Sequence, residues 1–318
     1  MRPLIVGCGY VGWPVVRILV QYGEIPLVIT RSVEKADRLR RAGAEARVLD
    51  IATESPSRAE HLDGLIMMLG DDRRTGDRPS DLRRQALQHV LQCLGTDVRR
   101  VIYVSTTGVY GERNGWVDEE TVPRPTRRSA HAHWLAESWL MTGPWRAVTT
   151  RLRLGGLYGP GRLPEVDRLR RGEPLHRDPT HRLHLIHVED AARIIVEQWR
   201  RGEEPEDSIA ESPSSRERWA AGGKRDAPAA RRAVLNVVDG CPVSRADFYE
   251  EAARLAGWPP PRFGPSRAGI SSPPSHDLRP APPHRVIRSR WFETDIAPYL
   301  KFPDYRAGLR TVIERGES

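Results

Sequence analysis

The sequence predicts an α/β fold, a doubly wound parallel sheet followed by a smaller C-terminal region, and three observations carry that prediction. Short apolar runs alternate with segments of helical periodicity as far as Leu152, the pattern of a parallel sheet with helices on both faces. The first run, Pro3-Leu4-Ile5-Val6, enters Gly7-Cys8-Gly9-Tyr10-Val11-Gly12, a glycine spacing suited to a sharp turn from strand into helix. Beyond Leu152 the alternation breaks, and glycine- and proline-rich connections join shorter elements.

In chain order, strands are expected at Leu4–Val6, Ile25–Ile29, Ala46–Leu49, Leu65–Leu69, Val101–Val104 and Ala147–Leu152. Between them the periodicity predicts helices over Val11–Tyr22, Val33–Ala42, Ser80–Leu94 and Arg128–Met141. Pro14 suits the first turn of the first helix and Gly23 its stop. A division at residue 160 follows, with a helix over 189–201 packing back on the first domain. Residues 203–232, rich in Glu, Pro, Ser, Arg and Ala without an apolar stripe, read as a mobile surface insertion. The chain recovers with a strand at Val234–Val238 and a capped amphipathic helix, Ser244 to Ala256, ending at Gly257. A Pro-, Ser- and Arg-rich loop over Pro259–Pro283 precedes the last ordered stretch.

The glycine motif points to a dinucleotide. Gly7 supplies backbone freedom, Gly9 permits close approach of the chain to a pyrophosphate, and Gly12 lets helix and strand pack. Tyr10 and Val11 complete the loop, and the helix N-terminus behind it aims its amides and positive dipole end at the diphosphate. Alone, such a motif is also met in ordinary tight turns. Its context adds to it: the second strand ends at Thr30-Arg31-Ser32, where an NAD site would place an acid against the ribose hydroxyls. A guanidinium forks onto a phosphate and the two hydroxyls donate to its remaining oxygens, so NADP is preferred to NAD. The plainer alternative is that Ser32 caps the next helix and Arg31 is solvated. Asp50, past the third strand, is placed to meet the adenine edge, or else makes a turn.

Composition narrows the partners. A hydrophobic share of 39% over 318 residues is enough for a globular core. The net charge of +8 permits nucleic-acid binding in principle, but the arginines are interspersed with acids, so a basic surface without a nucleic-acid partner is expected. Cys8, Cys93 and Cys241 lie far apart without metal-ligand or CxxC spacing, which suits a reducing, cytoplasmic setting. No stretch approaches the roughly 20 apolar residues of a membrane span. His181, His184 and His187 recur at every third position of an extended segment, a spacing that does not converge three imidazoles on a metal.

The segment Val101-Ile102-Tyr103-Val104-Ser105-Thr106-Thr107-Gly108-Val109-Tyr110-Gly111 resembles the strand and active-site loop of extended short-chain dehydrogenases/reductases, the NAD-dependent epimerase/dehydratase group. Arg153 to Gly161, His187-Val188-Glu189-Asp190 and Leu235 to Gly240 agree in order and spacing over nearly the whole chain. The resemblance implies a Rossmann domain binding NAD(P) and a small C-terminal substrate domain. It also implies a Ser/Thr, Tyr and Lys set in which Tyr acts as general acid/base and Lys lowers its pKa. Thr106 takes the Ser/Thr position. Anchored on Glu137, the helix that should carry Tyr and Lys places Ser129 and His133 there instead.

Both usual catalytic residues are therefore missing, and a Ser hydroxyl is a much poorer proton donor than a phenol. Ser129 and His133 are one turn apart and could pair, with the imidazole as a base; alternatively they are polar residues on a partly exposed helix. With Gly7-Cys8-Gly9 and Trp116-Val117-Asp118-Glu119, the pattern looks like the atypical extended subgroup. Gly155 and Gly156 would admit backbone near the nicotinamide, or simply turn. The resemblance implies an oxidoreductase or epimerase-like enzyme acting on a small hydroxy or carbonyl compound or a nucleotide-sugar-like one. A catalytically idle NADP-binding regulator is the alternative, and dimerisation through Rossmann helices is common in the group.

Overall fold

The computed structural model describes residues 1–51, 54, 62–70, 79–95, 97–201, 232–265 and 284–314. The expected insertion over 203–232, apart from residue 232, and the 266–283 part of the expected loop lie outside them. The first half alternates as β1 (Pro3–Val6), α1 (Gly12–Gln21), β2 (Leu27–Thr30), α2 (Val33–Arg41), β3 (Glu45–Val48), β4 (Gly64–Met67), α3 (Pro79–Leu94) and β5 (Arg100–Thr106). Then come β6 (Gly115–Val117), α4 (Arg128–Thr142), β7 (Thr149–Leu154), β8 (Gly156–Tyr158), α5 (Val166–Arg170), β9 (Arg182–Leu183), β10 (Leu185–His187) and α6 (Val188–Arg200). The chain ends with β11 (Val234–Val237), β12 (Val243–Ser244), α7 (Arg245–Ala256), β13 (Arg285–Ile287) and α8 (Tyr305–Glu314).

Seven strands form one parallel sheet in the order β11-β7-β5-β4-β1-β2-β3. The chain leaves β1 towards β2 and β3, then crosses back to β4 and β5, so the topological switch falls between β1 and β4. Both faces of the sheet are covered, which is why β1 and β4 read as unbroken apolar runs. Alternate residues serve opposite faces. Ile5, Val28, Ile66 and Ile102 pack under α1 and α6, while Leu4, Leu65, Met67 and Tyr103 pack under α3 and α4. Helix α6 and strand β11, both beyond residue 160, thus belong physically to the sheet domain.

Strand ends differ from expectation for local reasons. β2 starts at Leu27, not Ile25, because Pro26 has no N–H for the ladder and Ile25 is exposed. β7 starts at Thr149 because Pro144–Val148 makes a 3-10 turn instead. A second core holds the C-terminal elements together, with Tyr158, Leu175, Phe248, Tyr249 and Leu309 at its centre.

Candidate functional site

The glycine loop is built largely by its own sterics. Gly7 adopts φ +94°, and a Cβ there would lie 2.6 Å from the Met68 backbone at the end of β4. A Cβ on Gly12 would come within 3.0 Å of the Gly7 carbonyl oxygen, whereas one on Gly9 would meet nothing within 4 Å among the described residues. Gly9 is exposed and opens the loop outward. Helix α1 has no side-chain cap at Val11 and no acid in its first turn. By contrast, α2, α6 and α7 are capped by Ser32, His187 and Ser244. The Trp13 and Val15 amides already donate to the Gly9 and Val11 carbonyls, at 3.1 and 3.3 Å, and Pro14 has no N–H, so it is the Gly12 amide at the helix start that an anion would meet. The Val11 side chain is buried in the core, and the Tyr10 ring lies under the Arg162 guanidinium at 5.3 Å, so these residues offer the loop their backbone.

At the end of β2, Ser32 accepts a hydrogen bond from the Lys35 amide at 3.1 Å and caps α2, and the exposed Arg31 stands beside it. Lys35 is the residue that sequence reasoning missed. Its ammonium donates to the Cys8 carbonyl at 3.2 Å, bringing a cation to the glycine loop from the first turn of α2. The signal was its position one turn past Arg31. Burial pushes the Cys8 thiol up to about 11 against the opposing pull of Lys35, which keeps it a neutral packing group. Asp50 opens a turn, its carbonyl accepting from the Glu54 amide at 2.8 Å and its own amide donating to the Glu54 carboxylate at 3.1 Å.

Thr106 ends β5, and its hydroxyl accepts from the Gly108 amide at 3.0 Å. A Cβ on Gly108 would be 3.4 Å from that of Ala130, so the first turn of α4, with Ser129, lies against the loop after β5. His133 is placed differently from the pairing considered above. Among the described residues its Nδ1 hydrogen-bonds to the Tyr103 hydroxyl at 3.0 Å, not to Ser129, because Tyr103 faces α4 from β5. Burial, and then the Arg83 guanidinium, hold the His133 imidazole well below its ordinary pKa, and burial pushes the Tyr103 phenol upward. Both are neutral at pH 7, so His133 is a weak base where it stands.

Behind this face lies a buried polar network. Arg153 donates to both Glu137 oxygens, at 2.6 Å from Nη2 to Oε2, and to the Tyr110 hydroxyl at 2.8 Å. Ser105 donates to Glu137 at 2.5 Å, and Tyr110 donates to Asn236 at 2.8 Å. Burial disfavours the Arg153 charge, but the hydrogen bonds and charge of Glu137 outweigh it and hold the guanidinium above its ordinary range. The network ties β5, α4, β7 and β11 together beneath the cleft.

Gly155 is required by the protein itself: its Cβ would lie 2.6 Å from the His184 carbonyl oxygen, where β8 and β10 meet. His187 caps α6, and both Asp190 oxygens accept the Lys301 and Phe302 amides, at 2.9 and 3.0 Å. Among the described residues no three His, Cys, Asp or Glu side chains are grouped to hold a metal, and no helix is long and apolar enough to cross a membrane.

A parallel sheet of this order, with a glycine turn and an uncapped helix beside its switch point, defines a Rossmann-type protein. The chain belongs to the NAD-dependent epimerase/dehydratase family, whose model matches residues 4–209. It is 28% identical over 266 residues to Protein YeeZ of Escherichia coli K12, covering 81% of this chain and 85% of YeeZ. A conserved Silicibacter pomeroyi protein described as functionally unknown matches at 27% identity and TM-score 0.69, covering 100% of this chain and 99% of its own. The UDP-glucose 4-epimerase of Thermotoga maritima, solved with UDP-glucose, shares the fold at TM-score 0.70 and 19% identity, covering 99% and 98%.

Proposed function

We propose that this protein binds NADP(H) at the β1–α1 loop and serves as an oxidoreductase or epimerase-like enzyme. Its substrate would be a small hydroxy or carbonyl compound or a nucleotide-sugar-like one. The observation that carries the cofactor reading is the pairing of an uncapped, acid-free α1 N-terminus with Thr30-Arg31-Ser32 at the end of β2. The residues present fit a dinucleotide: the positive end of α1, with its Gly12 amide, would hold the diphosphate, Gly9 leaves room for it, and Arg31 with Thr30 would hold a 2′-phosphate. Lys35 adds a second cation nearby. When bound, the nicotinamide supplies or accepts hydride; the chain's part is to orient the substrate and move a proton.

For that proton, Ser129 and Thr106 are the hydroxyls offered at the junction of β5 and α4. Neither matches a phenol as an acid, and His133 is held neutral against Tyr103, so proton transfer is expected to be slow unless the substrate supplies its own group. The burial of His133 is also the observation that favours a second reading, an idle NADP-binding regulator. The separated cysteines support a cytoplasmic setting.

Arg31→Ala tests the cofactor assignment. Loss of a charge-assisted contact of about 1.5–3 kcal/mol should weaken NADPH about tenfold or more in calorimetric titration, with NADH unchanged within about twofold. Equal losses for both cofactors would sink the 2′-phosphate assignment.

A further inference from the structure

The four residues before α8, Lys301 to Asp304, form a strap between the two halves of the fold. The Lys301 and Phe302 amides donate to Asp190 at the start of α6, at 2.9 and 3.0 Å, and the Cys241 thiol donates to the Pro303 carbonyl at 3.6 Å. At the far end the Tyr158 hydroxyl donates to the Asp304 carbonyl at 3.4 Å, and the Asp304 carboxylate accepts the Ala307 amide of α8 at 2.9 Å. Helix α6 packs on the sheet, whereas Tyr158 and α8 belong to the C-terminal core. The strap fastens one to the other.

Asp239 stands at the root of one fastening. Its amide donates to the Leu185 carbonyl at 2.8 Å and its Oδ1 accepts from the Cys241 amide at 3.0 Å, so the turn that orients Asp239 also presents the Cys241 thiol to Pro303. The residue is 2% exposed, and its Oδ2 is buried without a hydrogen-bond partner among the described residues. A carboxylate there is costly, and a protonated carboxyl much less so. The groups facing it from neighbouring elements, Asp190 on α6, Asp304 at the head of α8 and Tyr158 on β8, bring no positive charge. The cations of the seam are engaged elsewhere: Arg193 with Asp190 at 3.1 Å, Lys301 with Glu189 at 3.7 Å, and Arg306 beside Cys241, while His187 caps α6. Burial, against the pull of the Cys241 amide and with help from Asp304 and Asp190, pushes the Asp239 carboxyl up to about 7.

We propose that Asp239 is a pH-sensitive latch on this strap: protonated, it lets the 239–241 turn and residues 301–304 stay closed; ionised, it draws in water, opens the strap and loosens α8 from the sheet domain. In the closed form the carboxyl keeps its proton up to about pH 7, whereas in an opened, hydrated form it loses it near the ordinary 3.8. Between those values the closed form binds more protons than the open one. Its advantage is therefore full below about pH 4, falls as the pH rises to about 7, and is level above that, where both forms are ionised.

The test is amide hydrogen exchange on the full chain without cofactor, which keeps it separate from the NADP reading. Protection of the Lys301 and Phe302 amides, each taken relative to the unstructured rate at the same pH, should fall about tenfold between about pH 6 and pH 8. Amides of β4 such as that of Ile66 should keep theirs. Asp239→Asn retains an acceptor for the Cys241 amide and cannot ionise, so its protection at Lys301 and Phe302 should be constant over that range. Carbon-13 labelling of the parent's aspartate carboxyls should show Asp239 titrating near about pH 7, and Asp304→Asn, which removes a repelling charge, should move that midpoint downward. An Asp239 carboxyl titrating near about pH 4, unchanging protection in the parent, or an equal fall in Asp239→Asn would overturn the latch.

Discussion

Glu137→Ala should remove about 3–5 kcal/mol of folding stability, the cost of leaving a buried cation without its partner. Glu137 is fully buried on α4 and meets Arg153 in a two-point contact, Arg151 at 3.5 Å and the Ser105 hydroxyl. Alanine cannot supply those acceptors, and Arg153 is itself only 2% exposed. Tyr110 and Asn236 would then lose the orientation that Arg153 gives them. Urea unfolding followed by tryptophan fluorescence measures the loss. The double variant Glu137→Leu, Arg153→Met should recover much of it, since the penalty comes from the orphaned charge more than from the pair's net worth. A single-variant loss below about 1 kcal/mol would show that the network is not a stabilising tie between α4 and β7.

Gly7→Ala should be the most damaging single methyl in the cofactor loop. Its φ of +94° disfavours any L side chain, at about 1–2 kcal/mol, and the new Cβ would lie 2.6 Å from the Met68 carbonyl group. That neighbour is backbone of the central strand pair β1–β4, so it cannot swing aside as a side chain could. Together the terms come to about 3 kcal/mol or more, and relief requires the loop to leave its place in front of α1. NADPH binding should fall below detection even at temperatures where the variant remains folded. A variant with parental melting temperature and NADPH affinity would contradict the loop geometry.

The sheet was legible because its strands are buried on both faces and so appear as unbroken apolar runs, with glycines punctuating the turns. The pairs β6–β13 and β9–β12 were not. Each strand is two or three residues long and finds its partner 60 to 170 residues away, which periodicity cannot report. Within the site, Gly7 and Gly12 stood out because backbone sterics restrict what can occupy those positions, Gly9 by its place in the glycine spacing, and Arg31 by its charge at the end of β2. Lys35 did not, since a lysine on a helix surface is ordinary until its ammonium is seen at the Cys8 carbonyl. The Tyr103–His133 contact was hidden for a similar reason: one residue reads as a strand position, the other as a helix position, and only the packing of α4 on β5 joins them. Glu137 and Arg153 were both in view as family markers, but their ion pair is a property of the folded core.

The account turns on whether the open space at Gly9 is where the dinucleotide lies. Gly9→Ala adds one methyl that meets no atom of the described residues within 4 Å, at a residue whose φ is not positive. The decisive measurement is NADPH titration of this variant beside its thermal unfolding. An unchanged melting temperature with NADPH affinity reduced about tenfold or more is the predicted result, because the methyl occupies the space the pyrophosphate needs. Unchanged stability with unchanged NADPH affinity would contradict it and move the cofactor away from the β1–α1 loop.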